Sequence, residues 1–566
     1  MKKICALLLV LALMLTMFAG CGGGQQAAKE TEAPIVNQDT DSLSSEKTAG
    51  VAATAEEGAD KEIVVCIKQD PAPLSPFSGD RDVRVYVLNQ CYQPLFRFDG
   101  YGGELDPCLG KSYKVIDDKT VEVEIFDNIY DAAGNHMTAN DVKFSFEKAL
   151  ELGNYTRITD VEGVEVVSDY VAHIKYKTST GLTAVLDNSL CSIFMVCQAA
   201  YEASDDELAT KTCGTGRYEV ETYNEGASVT VVKRDDYWQT DASLISKYDQ
   251  ANVGKIRYDV ITDASARAIG MQKGEIDFCA FLDANDYTLF EDGGESSEQF
   301  DILATNTPYL YCLTINCHPD SPMNNQNLRL AVTHAIDAQA VAQKAFGVAA
   351  LNIEGNGSPS NVGYQEAWDT GTFYNGASFN AYDPELAKEY LNAYLEETGT
   401  KLEDLVIRIY VSQMAGMDTM ATMAQAYLSA IGVTVDAQVY DSATLGALKK
   451  DTAAWEMSAY TGYANKYITE HWDAFFDARD YSHEGTMTYI IDDTLQQMVE
   501  DILLTENFTP EKLNAFNQYI TDNAYLIPIC GQLQRLVYPS YCVEPLTDAR
   551  GIPMPGACTY DWNKAN

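Results

Sequence analysis

The residue in this sequence best placed for covalent chemistry is Cys21. It follows Ala19 and Gly20, two small residues that leave the backbone open to a peptidase. Ahead of them residues 4–18 are apolar apart from Cys5 and Thr16, and Met1-Lys2-Lys3 supplies positive charge. Charge, apolar run and small-residue site in that order form the pattern of a removed export signal. A second covalent option is Ser145-Phe-Glu-Lys148, a hydroxyl and an amine one helical turn apart, as a nucleophile and its base require. Thr521-Asp522-Asn523 echoes the S-D-N that accompanies such a pair, but Lys211-Thr212-Cys213-Gly214 interrupts the K-T-G that completes it. Cys312, Cys317 and His318 carry metal-binding atoms, yet no fourth ligand is evident and an apolar strand accounts for them. Six histidines occur, none in H-E-x-x-H, so a zinc hydrolase has no support. These residues point away from an enzyme and from any cofactor or bound metal.

Phe18-Ala19-Gly20-Cys21 is similar to a lipobox, in which the cysteine thiol takes a diacylglycerol after cleavage. The apolar run is shorter than the roughly 20 residues a spanning helix needs. The expectation is a lipoprotein held at the outer face of a cell membrane (within the periplasm of a two-membrane cell) by lipid on Cys21. Residues 21–60 are rich in Gly, Ala, Thr, Ser and Glu and almost free of aromatic or branched apolar side chains. Such a segment cannot bury enough surface to offset its ordering entropy, so it reads as a disordered tether. Losing a signal with two lysines and no acid takes the net charge from −44 to −46. Nucleic acid and anionic headgroups, which demand positive patches, are poor partners for such a body. Twelve cysteines remain beyond Cys21, without a C-x-x-C pair. They read mostly as free, buried thiols, since a body of this size does not depend on disulfides.

About 500 residues after the tether exceed one simple core, so two or three lobes are expected. Ile63-Val64-Val65-Cys66-Ile67 reads as a buried strand, and 115–125 as a hairpin turning at Asp117-Asp118-Lys119. Thr138-Ala-Asn-Asp141 forms an Asp-type capping box whose helix sets Val142, Phe146, Ala149 and Leu150 on one face. A second hairpin spans 217–233 around Asn224-Glu225-Gly226. Helical periodicity then dominates at 328–346, 384–395, 417–430 and 509–523. Sheet-rich sequence early and helix-rich sequence late give an α/β class.

The order of motifs along this frame resembles the family 5 extracellular solute-binding proteins of ABC importers, the group of oligopeptide, dipeptide and nickel binders. The resemblance rests on Gln93-Pro94-Leu95-Phe96 with Pro107-Cys-Leu109, on Gly134 to Ser145, and on Gly214-Thr215-Gly216-Arg217-Tyr218 with Asp236-Tyr237-Trp238. It continues through Gly274-Glu275-Ile276-Asp277, Asn327 to Asp337, Tyr382-Asp383-Pro384-Glu385 with Ala387-Lys388, and Ala430-Ile431-Gly432-Val433. Most of these residues read as structural. Arg329 and Asp337, eight residues apart, are expected on one helix that they tie to its surroundings.

The resemblance implies a two-lobed fold of the type II periplasmic-binding-protein kind, with an extra subdomain in the first lobe and a hinge of two crossing segments near 302–316 and 526–532. The corresponding division is a signal over 1–20, a tether over 21–60, a first lobe over 61–305, a second over 306–525 and a C-terminal return over 526–566. It further implies a monomeric receptor that captures a solute between its lobes and delivers it to membrane permease subunits. A peptide or peptide-like solute is expected; a sugar, metal chelate or cationic compound is the alternative. A surface adhesin and a penicillin-recognising exported enzyme are the remaining options. Dipeptide binders carry an Arg for the ligand carboxylate where this sequence has Val411-Ser412-Gln413, and an Asp for the ligand amine where it has Tyr463. Neither charge carries over. In their place Tyr460, Tyr463, Asn465 and Tyr467 offer apolar faces with polar tips, as a largely desolvated pocket uses. Gln413 and Asn316 complete the expected ligand-binding set.

Overall fold

Alternation of apolar and polar residues sets the strands, and two separate apolar cores set the lobes. The structure, a computed structural model, describes residues 57–78, 83–98, 105–155, 158–177, 188–283, 285–353, 355–365, 368, 381–461, 467–476, 488–503, 508–548 and 550–565. The expected signal segment and Cys21 lie outside these residues, as does nearly all of the expected tether. Among the described residues no helix is long and apolar enough to cross a membrane.

The first lobe opens on β1 (Glu62–Ile67), whose Ile63, Val65, Cys66 and Ile67 are wholly buried. Two short strands, β2 (Phe96–Phe98) and β3 (Leu105–Pro107), pair with each other. A four-stranded antiparallel subdomain follows, built from β4 (Gly110–Asp117), β5 (Thr120–Ile125), β6 (Val161–Ser168) and β7 (Val171–Tyr176) in the order β4-β5-β7-β6. Val121, Val123 and Ile125 alternate into its core. The helix Ala139–Leu152 packs on it and begins at the expected capping box: Thr138 N–H donates to Asp141 Oδ2 at 2.7 Å, and Asn140 N–H donates to Thr138 Oγ1 at 3.3 Å. It ends where Gly153 turns left-handed at φ 68°. Val142, Phe146 and Ala149 are buried and Leu150 is half-buried. The lobe continues through the hairpin of β8 (Tyr218–Asn224) and β9 (Ser228–Lys233), then β10 (Lys255–Val260) and β11 (Phe278–Cys279).

The long strand β12 (Phe300–Ile315) leaves the first lobe and enters the second. There follow β13 (Ala350–Leu351), β14 (Val406–Ser412), β15 (Thr434–Tyr440) and β16 (Met457–Thr461), interleaved with helices. A second long strand, β17 (Leu526–Pro539), returns to the first lobe, where β18 (Cys542–Glu544) and β19 (Thr559–Tyr560) close the chain. One eleven-stranded sheet thus runs through both lobes in the order β15-β14-β16-β12-β17-β11-β1-β10-β9-β8, with β13 against β17.

One expected helix is two. The periodicity over 328–346 divides into helices Gln326–Ala335 and Ala338–Phe346, because Ile336 is extended and the Asp337 carboxylate caps the second helix by accepting Ala340 N–H at 2.9 Å. Arg329 and Asp337 therefore sit on different elements. Arg329 still anchors its helix, donating to the carbonyls of Asn523, Met323 and Asn324 at 2.8–3.0 Å and lying 4.7 Å from the Tyr525 ring centroid. The twelve described cysteines are thiols, ten of them buried, with Cys191 and Cys213 half-buried.

Candidate functional site

The two lobes meet where the β12–β17 ladder is interrupted. Pairing runs without a break from Phe300/Pro539 to Asn306/Leu533, resumes at Leu310/Gly531, shifts register again between Tyr311 and Cys312, and ends at Thr314/Leu526. Between these runs lie Thr307, Pro308 and Tyr309. Pro308 has no N–H to give a ladder, and side chains take over: Thr307 Oγ1 donates to Gln532 O at 2.9 Å, and Ser358 Oγ donates to Thr307 O. One core, containing Ile63, Val87, Phe146 and Ile256, lies on the first side of the break; another, containing Leu313, Ile409, Trp472 and Ile527, lies on the second. Two cores joined by a locally irregular ribbon are the arrangement from which hinge closure is built.

The expected ligand residues fall unequally around this junction. Tyr460 stands near the end of β16, opposite Cys312 in β12, half-buried with its ring edge-on to Phe475 at 5.6 Å. Tyr467 is half-buried, forms a bridge with Val362 and meets the Phe508 ring edge-on at 5.6 Å. Gln413 is exposed just beyond β14, its backbone N–H donating to Tyr440 O at 3.0 Å. Asn316 is wholly buried: its amide donates to Thr452 O and Trp455 O, both at 2.8 Å, and its side-chain carbonyl accepts His318 N–H at 3.0 Å. That amide is committed inside the second lobe. Tyr463 and Asn465 lie outside the described residues.

The segment around Tyr467 holds groups that pattern reading passed over. The helix Ile468–Phe476 carries Glu470, whose carboxylate accepts the Tyr467 N–H at 3.2 Å and the side-chain amide of Asn188, a first-lobe residue. This hydrogen bond spans the lobes. His471 beside it is fully buried, 4.7 Å from the Phe475 ring, and neither ring nitrogen has a hydrogen-bond partner among the described residues. Burial pushes its imidazole down to about 3, so it is neutral at ordinary pH. Lys449, also buried, stacks 4.8 Å over Trp455, and burial pushes its ammonium down to about 7.

The nucleophile reading of Ser145 fails on geometry. Its hydroxyl is buried, donates to Asp141 O at 2.8 Å and accepts Val196 N–H at 3.0 Å, while Lys148 lies at the surface against Glu151 at 2.7 Å.

Comparison with known proteins decides what this two-lobed binder is related to. The model of bacterial extracellular solute-binding proteins, family 5 middle, matches residues 104–485, more than half of the chain. The chain belongs to this family. Among relatives, the glutathione-binding protein GsiB of Escherichia coli K12 is 25 % identical over 337 residues, which is 58 % of this family 5 chain and 61 % of GsiB. The chain thus spans about three-fifths of the length of the curated relatives it matches. The fold is that of the ABC transporter substrate-binding protein CtaP of Listeria monocytogenes, with TM-score 0.72 at 18 % identity over 89 % of this chain and 99 % of CtaP. It is also that of the dipeptide-binding protein of Pseudoalteromonas sp. SM9913 solved with Met-Leu, with TM-score 0.69 at 16 % identity over 88 % and 100 % of the two chains. The architecture of this family 5 protein is accordingly that of a type II periplasmic binding protein.

Proposed function

We propose that this family 5 protein is the solute receptor of an ABC importer, tethered outside the cell membrane through lipid on Cys21, and that it takes a peptide or peptide-like solute between its lobes. The observation that carries the reading is the interrupted β12–β17 ribbon between two independent cores. A solute that touches both lobes favours the closed arrangement by its difference in affinity for the two forms, and the closed form is what the permease subunits would engage. Peptide chemistry draws support from relatives that bind glutathione and Met-Leu. Tyr460, Tyr463, Asn465, Tyr467 and Gln413 are the residues assigned to the ligand; Asn316 takes no part, its amide being spent. With Val411-Ser412-Gln413 and Tyr463 where dipeptide binders hold charges, the reading favours a solute whose ends are blocked or uncharged.

The test is mass spectrometry of whatever co-purifies with the protein, followed by titration of intrinsic fluorescence with that compound and with free and end-blocked peptides. Saturable quenching, compaction by small-angle scattering and at least tenfold weaker binding in Tyr460→Ala or Tyr467→Ala are expected. No saturable response and no compaction with any co-purified compound or peptide would end the proposal. For the anchor, Cys21→Ala should abolish metabolic labelling with palmitate and release the protein from membranes.

A further inference from the structure

Four of the twelve thiols meet in two pairs, and both pairs are in the first lobe. Cys66 in β1 and Cys279 in β11 are direct partners across a parallel ladder, adjoining the pair Val65/Phe278, and the Cys66 S–H donates to Ile67 O at 3.9 Å. Neighbouring strands lie about 4.8 Å apart, inside the roughly 4.4–6.8 Å between Cα atoms that a disulfide spans. Cys542 in β18 sits across the two-stranded ladder from Tyr560, and Cys558 directly precedes β19. The Cys558 S–H donates to Met554 O at 3.5 Å, its sulfur accepts Leu546 N–H at 3.2 Å, and the Cys558 thiol beside it pushes the Cys542 thiol up. All four side chains are buried, the most open of them, Cys542, being 2 % exposed.

We propose that Cys66–Cys279 and Cys542–Cys558 are disulfide-forming sites, closed by oxidation as the first lobe folds. The oxidant is a disulfide, either a small-molecule one or that of an exported thiol oxidoreductase. Either thiol of the pair can attack first, for example Cys279. Its thiolate attacks one sulfur of the oxidant, expelling one thiolate and leaving a mixed disulfide. Cys66 then displaces the second thiolate, so the two electrons end in the oxidant's two thiols and both cysteine protons pass to them or to water. Burial of the finished pairs makes the folding chain, or a transiently opened β18–β19 hairpin, the stage at which oxidation happens. Cys66–Cys279 joins segments 213 residues apart, whereas Cys542–Cys558 links positions 16 residues apart within the C-terminal return. Cys279 lies on the strand that pairs with both β1 and β17, and Tyr541 OH, next to Cys542, donates to Asp277 Oδ1 at 2.8 Å. The first bond would fasten the start of the lobe to its middle and the second would staple the C-terminal return to itself, leaving the interlobe ribbon free.

Full-length protein refolded in a glutathione redox buffer, and separately in excess reductant, is alkylated and its peptides mapped without reduction. The expected result is peptides joining Cys66 to Cys279 and Cys542 to Cys558, a loss of two hydrogens per bond, and a melting temperature raised above that of the reduced sample. That rise should vanish in a C66S/C279S/C542S/C558S variant. Because reduced wild type is the same polypeptide, the comparison holds even where the variant does not fold. Full alkylation of these four thiols in the oxidising buffer, or bonds joining them to other cysteines, overturns the proposal.

Discussion

The two lobes bury ionisable groups differently. In the first lobe buried charges are matched: Arg97 meets Asp249 at 2.9 Å, both nearly inaccessible, and Arg234 donates to the carbonyls of Gly214, Gly216 and Asp131 at 3.0–3.1 Å. Burial alone would pull the Arg97 guanidinium down, and the Asp249 carboxylate more than offsets it. The second lobe likewise matches Arg408 with Glu456 and Arg329 with three carbonyls, but it also buries Lys449 and His471, whose charged forms burial disfavours. A matched pair holds its charge across the ordinary pH range, whereas a group buried neutral ties folding to pH. The lesson is that the Arg97–Asp249 pair of the first lobe holds its charge across the pH range, whereas Lys449 and His471 of the second tie folding to pH.

Arg97→Ala tests the first half of that contrast and should have the largest effect. It strands the Asp249 carboxylate in the core, so denaturant titration should show a loss of about 3–5 kcal/mol. A loss below about 1 kcal/mol would mean that the pair is not holding the lobe. His471→Leu tests the second half. Its folded-state pKa of about 3 lies below the ordinary 6.5, so the unfolded chain takes the proton first. Stability is therefore full above pH 6.5 and falls as the pH drops toward 3, at about 1.4 kcal/mol per pH unit. The leucine variant should match wild type near pH 7.5 and exceed it by about 3 kcal/mol at pH 4. Parallel acid curves would remove His471 from the account. Asn188→Ala, the mildest change, removes the interlobe hydrogen bond to Glu470 and should cost about 1 kcal/mol. That cost should appear in scattering, as a shift toward open forms, and not in the melting temperature of either lobe. An unchanged scattering profile would assign the contact no role in closure.

Local features of this fold were legible because local chemistry decides them. The capping box at Thr138 and Asp141 and the hairpin around Gly226, which turns at φ 69°, need only residues within a few positions. The same rule explains the misread helix: Asp337 continues an apolar periodicity, but its carboxylate serves its neighbours better as a cap. The family motifs gave the lobes and the crossing strands, since those follow from topology. Site residues were harder. Asn316 and Gln413 were picked by position near the crossing segments, and position does not say whether an amide is already spent. Asn188 and Glu470 stand 282 residues apart, and no periodicity or spacing links an amide to a carboxylate over that distance. His471 and Lys449 sit on apolar helix faces, where sequence reading sees an ordinary polar side chain and burial alone reveals the shift.

The return of β17 also fixes an order of events during synthesis. The second core draws on residues between Leu310 and Cys530 and is complete in sequence once Cys530 has been made. The first core needs Ile63 and also Cys542, Cys558 and Tyr560, so its earliest strand waits for nearly the last residues of the chain. Such a separation slows closure, because loop entropy is lost before distant contacts repay it. The delay orders the two lobes in time. The lobe synthesised first is the last to close.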